Sequence, residues 1–343
     1  MIQTYAFLFR PYDVPRYTGA FLGCNYNALF YLTVYTSFLC KLLIRRRQQA
    51  KRFEQILLFC CAGAMFGLAV ITGCRTVLVA MPVVTCIVLA GFLMGEKKKI
   101  KFAVSFLLGS ILIFLLSVTL AYASARYLPT ILNRPRFYKY EWTERSVMRG
   151  DPWDSWKYVS FEEMLRVDVG RILWFLPEEE ETSEQTVEEE SAYPDAGEAK
   201  ILYEGRPLSS VEERIVIWKY YIGELRIYGH ISEDGSVRPT YHGWHAHNYL
   251  LQMSYWFGIP VGLLLLGFFV ACFIKYVSLL KRKQYVHACV LGGFVAVFML
   301  YGLLESSWGI GDFNHTLFYI LLYMVFKKNK KEKTLTAGEQ LND

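Results

Sequence analysis

Seven blocks of about 20 mostly apolar residues divide the chain, each long enough to cross the hydrocarbon core of a bilayer as a helix. They fall near Tyr26–Ile44, Gln55–Cys74, Thr76–Gly95, Phe102–Ala123, Asn248–Ile274, Val286–Leu304 and Ser306–Phe326. The last carries Asp312, Asn314 and His315, so only its Thr316–Phe326 half is strongly apolar. Hydrophobic residues make up 54% of the chain, more than a soluble domain needs for its core. The fold class expected is an all-α polytopic membrane protein of about 7 transmembrane helices.

Positive charge orients these spans. Lys/Arg clusters lie at Arg45-Arg46-Arg47 with Lys51-Arg52, at Lys97–Lys101, at Lys275 with Lys281-Arg282-Lys283, and at Lys327–Lys333. With seven spans all four fall on one side, which the inside bias of positive charge makes cytoplasmic. The net charge of +6 is thereby a topology signal, and no nucleic-acid partner is needed to account for it. The expected organisation is an N-terminal membrane bundle of about 4 helices over residues 1–123 and a large outer loop over 124–246. C-terminal membrane helices follow over 247–326, then a basic cytoplasmic tail over 327–343. Met1–Phe9 lacks a basic start and a long apolar core, so no secretory signal is read there. An outer N-terminus without a signal leads to the expectation of further helices upstream. The cysteines lie in or beside the spans and read as small packing residues rather than a disulfide framework.

The outer loop spans about 120 residues, far more than a connection requires. Pro129, Asn133 and Pro135 mark its exit from the membrane. Within it, residues 178–190 are so rich in Glu that they cannot bury a core, and a disordered, solvated insert is expected. Ser209-Ser210-Val211-Glu212-Glu213 has the hydroxyl cap and acidic first turn of a helix start. Arg214 and Trp218 then lie one turn apart on the same helical face. Arg214 is open to two readings, a solvated helix charge or a phosphate ligand. Arg75 sits between two apolar blocks, where a positive outer charge runs against the inside bias and calls for water or an anionic partner.

The seam between the outer loop and the next span reads His242-Gly243-Trp244-His245-Ala246-His247-Asn248-Tyr249. It places imidazole, the side chain best matched to proton transfer near neutral pH, where water meets membrane. His242, His245 and His247 have a second reading as a metal cluster, with Asp312 or Glu305 completing the set. Glu305, near the outer end of its span, is a candidate to orient His247, or equally to pair with an outer arginine.

In this order the pieces resemble the O-antigen ligase and O-antigen polymerase (Wzy-type) superfamily of membrane glycosyltransferases. The resemblance rests on Gly73-Cys74-Arg75-Thr76 before a span, Arg214-Ile215-Val216-Ile217-Trp218 on an outer helix, and His247-Asn248-Tyr249-Leu250 leading to Gly258 and Gly262. Arg16-Tyr17-Thr18-Gly19 before Asn25-Tyr26-Asn27 is a fourth element. Cys74 stands where the family usually has serine, Tyr26 where it has proline, and the Glu-rich insert is foreign to the pattern.

The resemblance implies transfer of a glycan from an isoprenoid diphosphate carrier to an acceptor hydroxyl, on a glycan or a lipid, at the outer face of the cell membrane. It implies His247 as catalytic base and Arg75 and Arg214 as ligands of the diphosphate, with Asn248, Glu305, Trp218, His245 and Arg16 in support. No metal, cofactor or sugar nucleotide is implied. Three rivals stand beside it. A polymerase of peptidoglycan type would use a carboxylate as base. A transporter would place charge near the middle of its spans, where no Lys or Arg is seen. A degenerate assembly protein of polysaccharide export would keep the outer loop and lose catalysis.

Overall fold

The computed structural model describes residues 17, 24–94, 99–131, 137–140, 145–148, 159–162, 164–165, 202–203, 206–207, 210–230, 245–305, 319 and 323. Eight helices account for most of them: α1 (Cys24–Arg47), α2 (Arg52–Val70), α3 (Arg75–Leu93), α4 (Lys99–Ile131), α5 (Ser210–Gly223), α6 (Tyr249–Phe257), α7 (Ile259–Lys281) and α8 (Tyr285–Leu304). Two short antiparallel hairpins, Phe137–Tyr140 with Arg145–Met148 and Leu202–Tyr203 with Arg206–Pro207, lie in the region between α4 and α5. Among the described residues α1, α2, α3, α4, α7 and α8 are long and apolar enough to cross a membrane. The expected span Ser306–Phe326 lies almost wholly outside the described residues, and the insert 178–190 wholly so.

α1 and α8 form the inside of the bundle, and α4 and α7 its rim. α1 packs against α2, α3 and α8, while α2 also holds α4, and α8 holds both α3 and α7. The core is rich in large rings, with Tyr31, Tyr35, Tyr301, Phe92 and Phe298 fully buried. Small residues let the backbones approach. Gly63 and Gly67, one turn apart on α2, face Ile113 and Ser117 of α4, and a Cβ at Gly67 would run into the Ser117 carbonyl. The rim helices turn Leu108, Leu112, Leu115, Leu263, Leu264 and Phe273 outward. Such a continuous apolar surface is untenable in water and natural in lipid, so the chain is a multi-pass membrane protein.

At one end of the bundle the basic residues gather. The Arg47 guanidinium donates to the Phe92 carbonyl at 3.1 Å and lies over the Phe92 and Tyr285 rings, while Arg46 lies over the Phe102 ring. The end of α1, the end of α3 and the starts of α4 and α8 therefore share this end. The ends of α2 and α8 and the starts of α1 and α3 occupy the other.

Two expectations need correction. The single span Asn248–Ile274 is two helices, interrupted at Gly258, whose φ of 98° lies in the region that favours glycine. α6, with 9 residues, extends about 14 Å and is too short to cross. The break persists because the segment after α5 satisfies its backbone: His230 N–H donates to Trp256 O at 3.0 Å, and Ile259 N–H donates to Arg226 O at 3.0 Å. A Cβ at Gly258 would meet the Ile227 carbonyl oxygen. Gly258→Ala should therefore lower stability by about 2–4 kcal/mol, read as a drop in the thermal unfolding midpoint of the detergent-solubilised protein. An unchanged midpoint would mean that this backbone junction tolerates a side chain.

The second correction concerns α4, which does not stop at Ala123 or at Pro129 but runs through Ile131. Its last turns are held from outside the bundle, since Tyr122 Oη and Arg126 Nη1 each donate to the Val159 carbonyl at 2.8 Å. The last turns of the helix thus become the seat on which the segment at Val159 rests.

Candidate functional site

Glu305 follows the last residue of α8 and is 5% exposed. A buried carboxylate needs donors on both oxygens, and this one draws them from four separate segments. Oε1 accepts from Arg214 Nη2 at 3.0 Å and from Thr76 Oγ1 at 3.4 Å. Oε2 accepts from Asn25 Nδ2 at 3.1 Å, and His247 Nδ1 lies 3.5 Å away from it. The starts of α1 and α3, the second turn of α5 and the residue before the α6 cap converge on this one group, at the end of the bundle opposite the basic cluster.

His247 is placed by its neighbours. The peptide of Ala246 is held on both sides: its N–H donates to Gln252 Oε1 at 2.8 Å, and its carbonyl accepts from Trp218 Nε1 at 2.7 Å. Asn248 is the helix cap of α6, its Oδ1 accepting from Leu251 N–H at 3.1 Å while Nδ2 donates to the Leu303 carbonyl at 3.2 Å. Pinned between them, His247 adopts φ 46°, a left-handed conformation that costs a non-glycine residue energy and aims its ring at Glu305. Asn248 thus fixes the chain after His247, and Trp218 the chain before it.

In the tautomer that carries its hydrogen on Nδ1, the N–H is directed at the carboxylate and the lone pair is on Nε2. Glu305 is thus in contact with both His247 and an arginine, Arg214. The site's other histidine behaves differently. His245 is largely exposed and presents its ring to the edge of Trp256. Partial desolvation, and then the nearness of His247, lower its pKa from the usual histidine value. It makes no described contact with Glu305.

Arg75 is the first residue of α3, after a turn in which Gly73 has φ 57° and Thr72 Oγ1 donates to Ala69 O at 2.6 Å. It is partly buried and directly precedes Thr76, which touches Glu305. Arg16, His242 and Asp312 lie outside the described residues. Among the described residues no group of three or more His, Cys, Asp or Glu side chains is arranged to hold a metal ion.

Three site residues escape sequence reasoning. Asn25 and Thr76 belong to the motifs, but nothing in the motifs gives them a role. Tyr301 lies four residues before Glu305 on α8, fully buried, with its hydroxyl donating to Asn25 O at 2.5 Å and 3.7 Å from Cys74 Sγ. The available signal is a tyrosine and a glutamate one turn apart in an otherwise apolar helix, which marks a polar face turned inward. Compared with known proteins, the chain matches no family model, no curated protein and no solved structure.

Proposed function

We propose that this protein transfers a glycan from an isoprenoid diphosphate carrier to an acceptor hydroxyl at the outer face of the cell membrane, as a ligase or polymerase of surface polysaccharide. The observation that carries the reading is the Glu305 cluster, which joins a histidine and an arginine at the non-basic end of a membrane bundle. The resemblance of the same residues to the O-antigen ligase and polymerase motifs supports it from the sequence side.

In the proposed reaction the acceptor oxygen attacks the anomeric carbon while the bond from that carbon to the diphosphate oxygen breaks. The hydroxyl proton passes to His247 Nε2, and the carboxylate of Glu305 stabilises the imidazolium that forms. The bonding electron pair leaves with the isoprenoid diphosphate. Arg214 gives one nitrogen to Glu305 and keeps the remaining edge of its guanidinium for phosphate oxygens, with Arg75 as the second cation. Glu305 is poorly suited to act as base itself, because both oxygens are already engaged by donors. The engaged carboxylate disfavours a carboxylate-based polymerase mechanism at Glu305, and the form of the metal reading in which Glu305 completes the ligand set.

The proposed orientation puts the basic end in the cytoplasm and the cluster, with the region around Glu184, outside. A cysteine at position 184 in a cysteine-free background should react with a membrane-impermeant thiol reagent in intact cells, or in spheroplasts where an outer membrane exists. Reaction only after permeabilisation would reverse the orientation.

Transfer is tested with the purified full-length protein and a lipid-diphosphate glycan, by following release of the isoprenoid diphosphate. Arg75→Lys and Arg214→Lys should each lower turnover about tenfold or more, although charge is retained, because the planar two-pronged donor is lost. Unchanged turnover in both variants would reduce the arginines to a general electrostatic role. Absence of transfer by the wild-type protein across carriers and acceptors would leave the reading without support.

A further inference from the structure

A second feature lies at the opposite end of the bundle and does not depend on the transfer reaction. Between α1, α2 and α4 is a cavity of about 280 Å³. Leu42, Leu43, Phe59 and Phe106 form its apolar wall, and Ile56 and Ser105 stand at its sides. Ile56 is 59% exposed, as are its neighbours Phe53 and Leu57 to similar or greater degree, so the cavity opens sideways onto the face turned to lipid. Its polar edge is Arg46 and Gln55.

The three consecutive arginines at the end of α1 have different fates. Arg45 is paired with Glu54 at 2.6 Å and donates to Gln48. Arg47 donates to the Phe92 carbonyl. Arg46 has no carboxylate within ion-pair distance among the described residues, and its guanidinium carbon lies over the Phe102 ring, 4.1 Å from the centroid. A guanidinium held over a ring face still has N–H donors to offer phosphate oxygens. Gln55 is held in place by its own donation to Ala50 O at 2.8 Å, which leaves its amide oxygen as acceptor at the rim.

We propose that this cleft binds one anionic diacyl phospholipid of the leaflet at the basic end, with its phosphate on Arg46 and a segment of one acyl chain between Phe59 and Phe106. The volume is near the lower limit of about 300 Å³ for small-molecule pockets, which suits a length of chain rather than a bulky headgroup. The charge agrees with the class, because basic pockets between membrane helices on the positive side take anionic headgroups. A water-soluble phosphate would meet Arg46 alone and gain nothing from the apolar wall.

The test uses the full-length protein reconstituted in mixed vesicles of phosphatidylglycerol and phosphatidylcholine, then extracted in mild detergent and weighed by native mass spectrometry. Wild-type protein is expected to retain one phosphatidylglycerol. Arg46→Gln should lower that retention about tenfold, the effect of one charge-assisted phosphate contact, and Ser105→Trp should abolish it by filling the cleft. Arg282→Gln, a basic change at the same end but away from the cleft, should leave retention unchanged. Photoactivatable phosphatidylglycerol on unmutated protein should label peptides containing Ile56, Phe59 or Phe106, which keeps the test valid if a variant fails to fold. Equal retention of the two lipids, an unaffected Arg46→Gln variant, or labelling confined to other peptides overturns the proposal. So does full competition by glycerol phosphate, which would indicate an anion site without a chain site, or preferential retention of an isoprenyl phosphate.

Discussion

His247→Asn will lower glycan transfer by about 10²–10⁴-fold while leaving the thermal midpoint of the protein close to that of wild type. Asparagine is the informative substitution because it tolerates the left-handed conformation that His247 adopts at φ 46°, whereas alanine there adds backbone strain to the loss of the ring. His247→Ala should lose transfer to the same degree and some stability besides. The loss in both variants should appear in turnover rather than in binding of the carrier, because the ring acts on the acceptor proton and the arginines hold the diphosphate. His245→Ala should cost far less, since its ring faces Trp256 and not Glu305. Normal transfer by the asparagine variant would falsify the base assignment. Activity abolished by a chelator and restored by zinc would instead give the histidines a metal to hold.

The outline of the fold was legible because it depends on local quantities. Four of the six spans of the described structure begin and end within a few residues of the apolar blocks, and the arginines lie at the end of α1 as the charge pattern has them. The interruption at Gly258 was not legible as a break. A glycine inside an apolar run is common in membrane helices, and what makes this one a break is a hydrogen-bonding partner more than 25 residues away, His230 to Trp256 and Arg226 to Ile259. The same limit applies to the site. The tandem of Arg214 and Trp218 on one helical face was visible, as was the cap-like Asn248 at the start of an apolar segment. That Trp218 reaches back to the Ala246 carbonyl, and Arg214 to Glu305, is a matter of contacts 28 and 91 residues apart that no spacing rule encodes. Asn25 is the clearest case. Its partner Glu305 is 280 residues distant, and only the antiparallel packing of α1 and α8 brings the two ends together.

Glu305→Ala carries the other large expected effect, on stability as well as on transfer. The carboxylate is 7% exposed at its side chain and Arg214 28%, so removing it strands a partly buried guanidinium and frees Asn25, Thr76 and His247 together. Breaking such a pair from one side costs about 3–5 kcal/mol when burial is complete, and the partial exposure of Arg214 places this site at the lower end. Glu305→Gln keeps the shape and one acceptor but turns an amide N–H toward donors that cannot receive it, for a loss of about 1–3 kcal/mol. Because the two singles mix fold and function, the decisive comparison is a double variant, Arg214→Met with Glu305→Leu. Replacing a buried pair by apolar side chains of similar volume is often neutral, so this protein should recover most of the unfolding midpoint lost in Glu305→Ala. Transfer should stay as low as in the single variant, since the diphosphate has lost a cation and His247 its partner. Recovery of stability without recovery of transfer assigns the cluster to the reaction; a Glu305→Ala protein that melts and transfers like wild type would dissolve the cluster as a site.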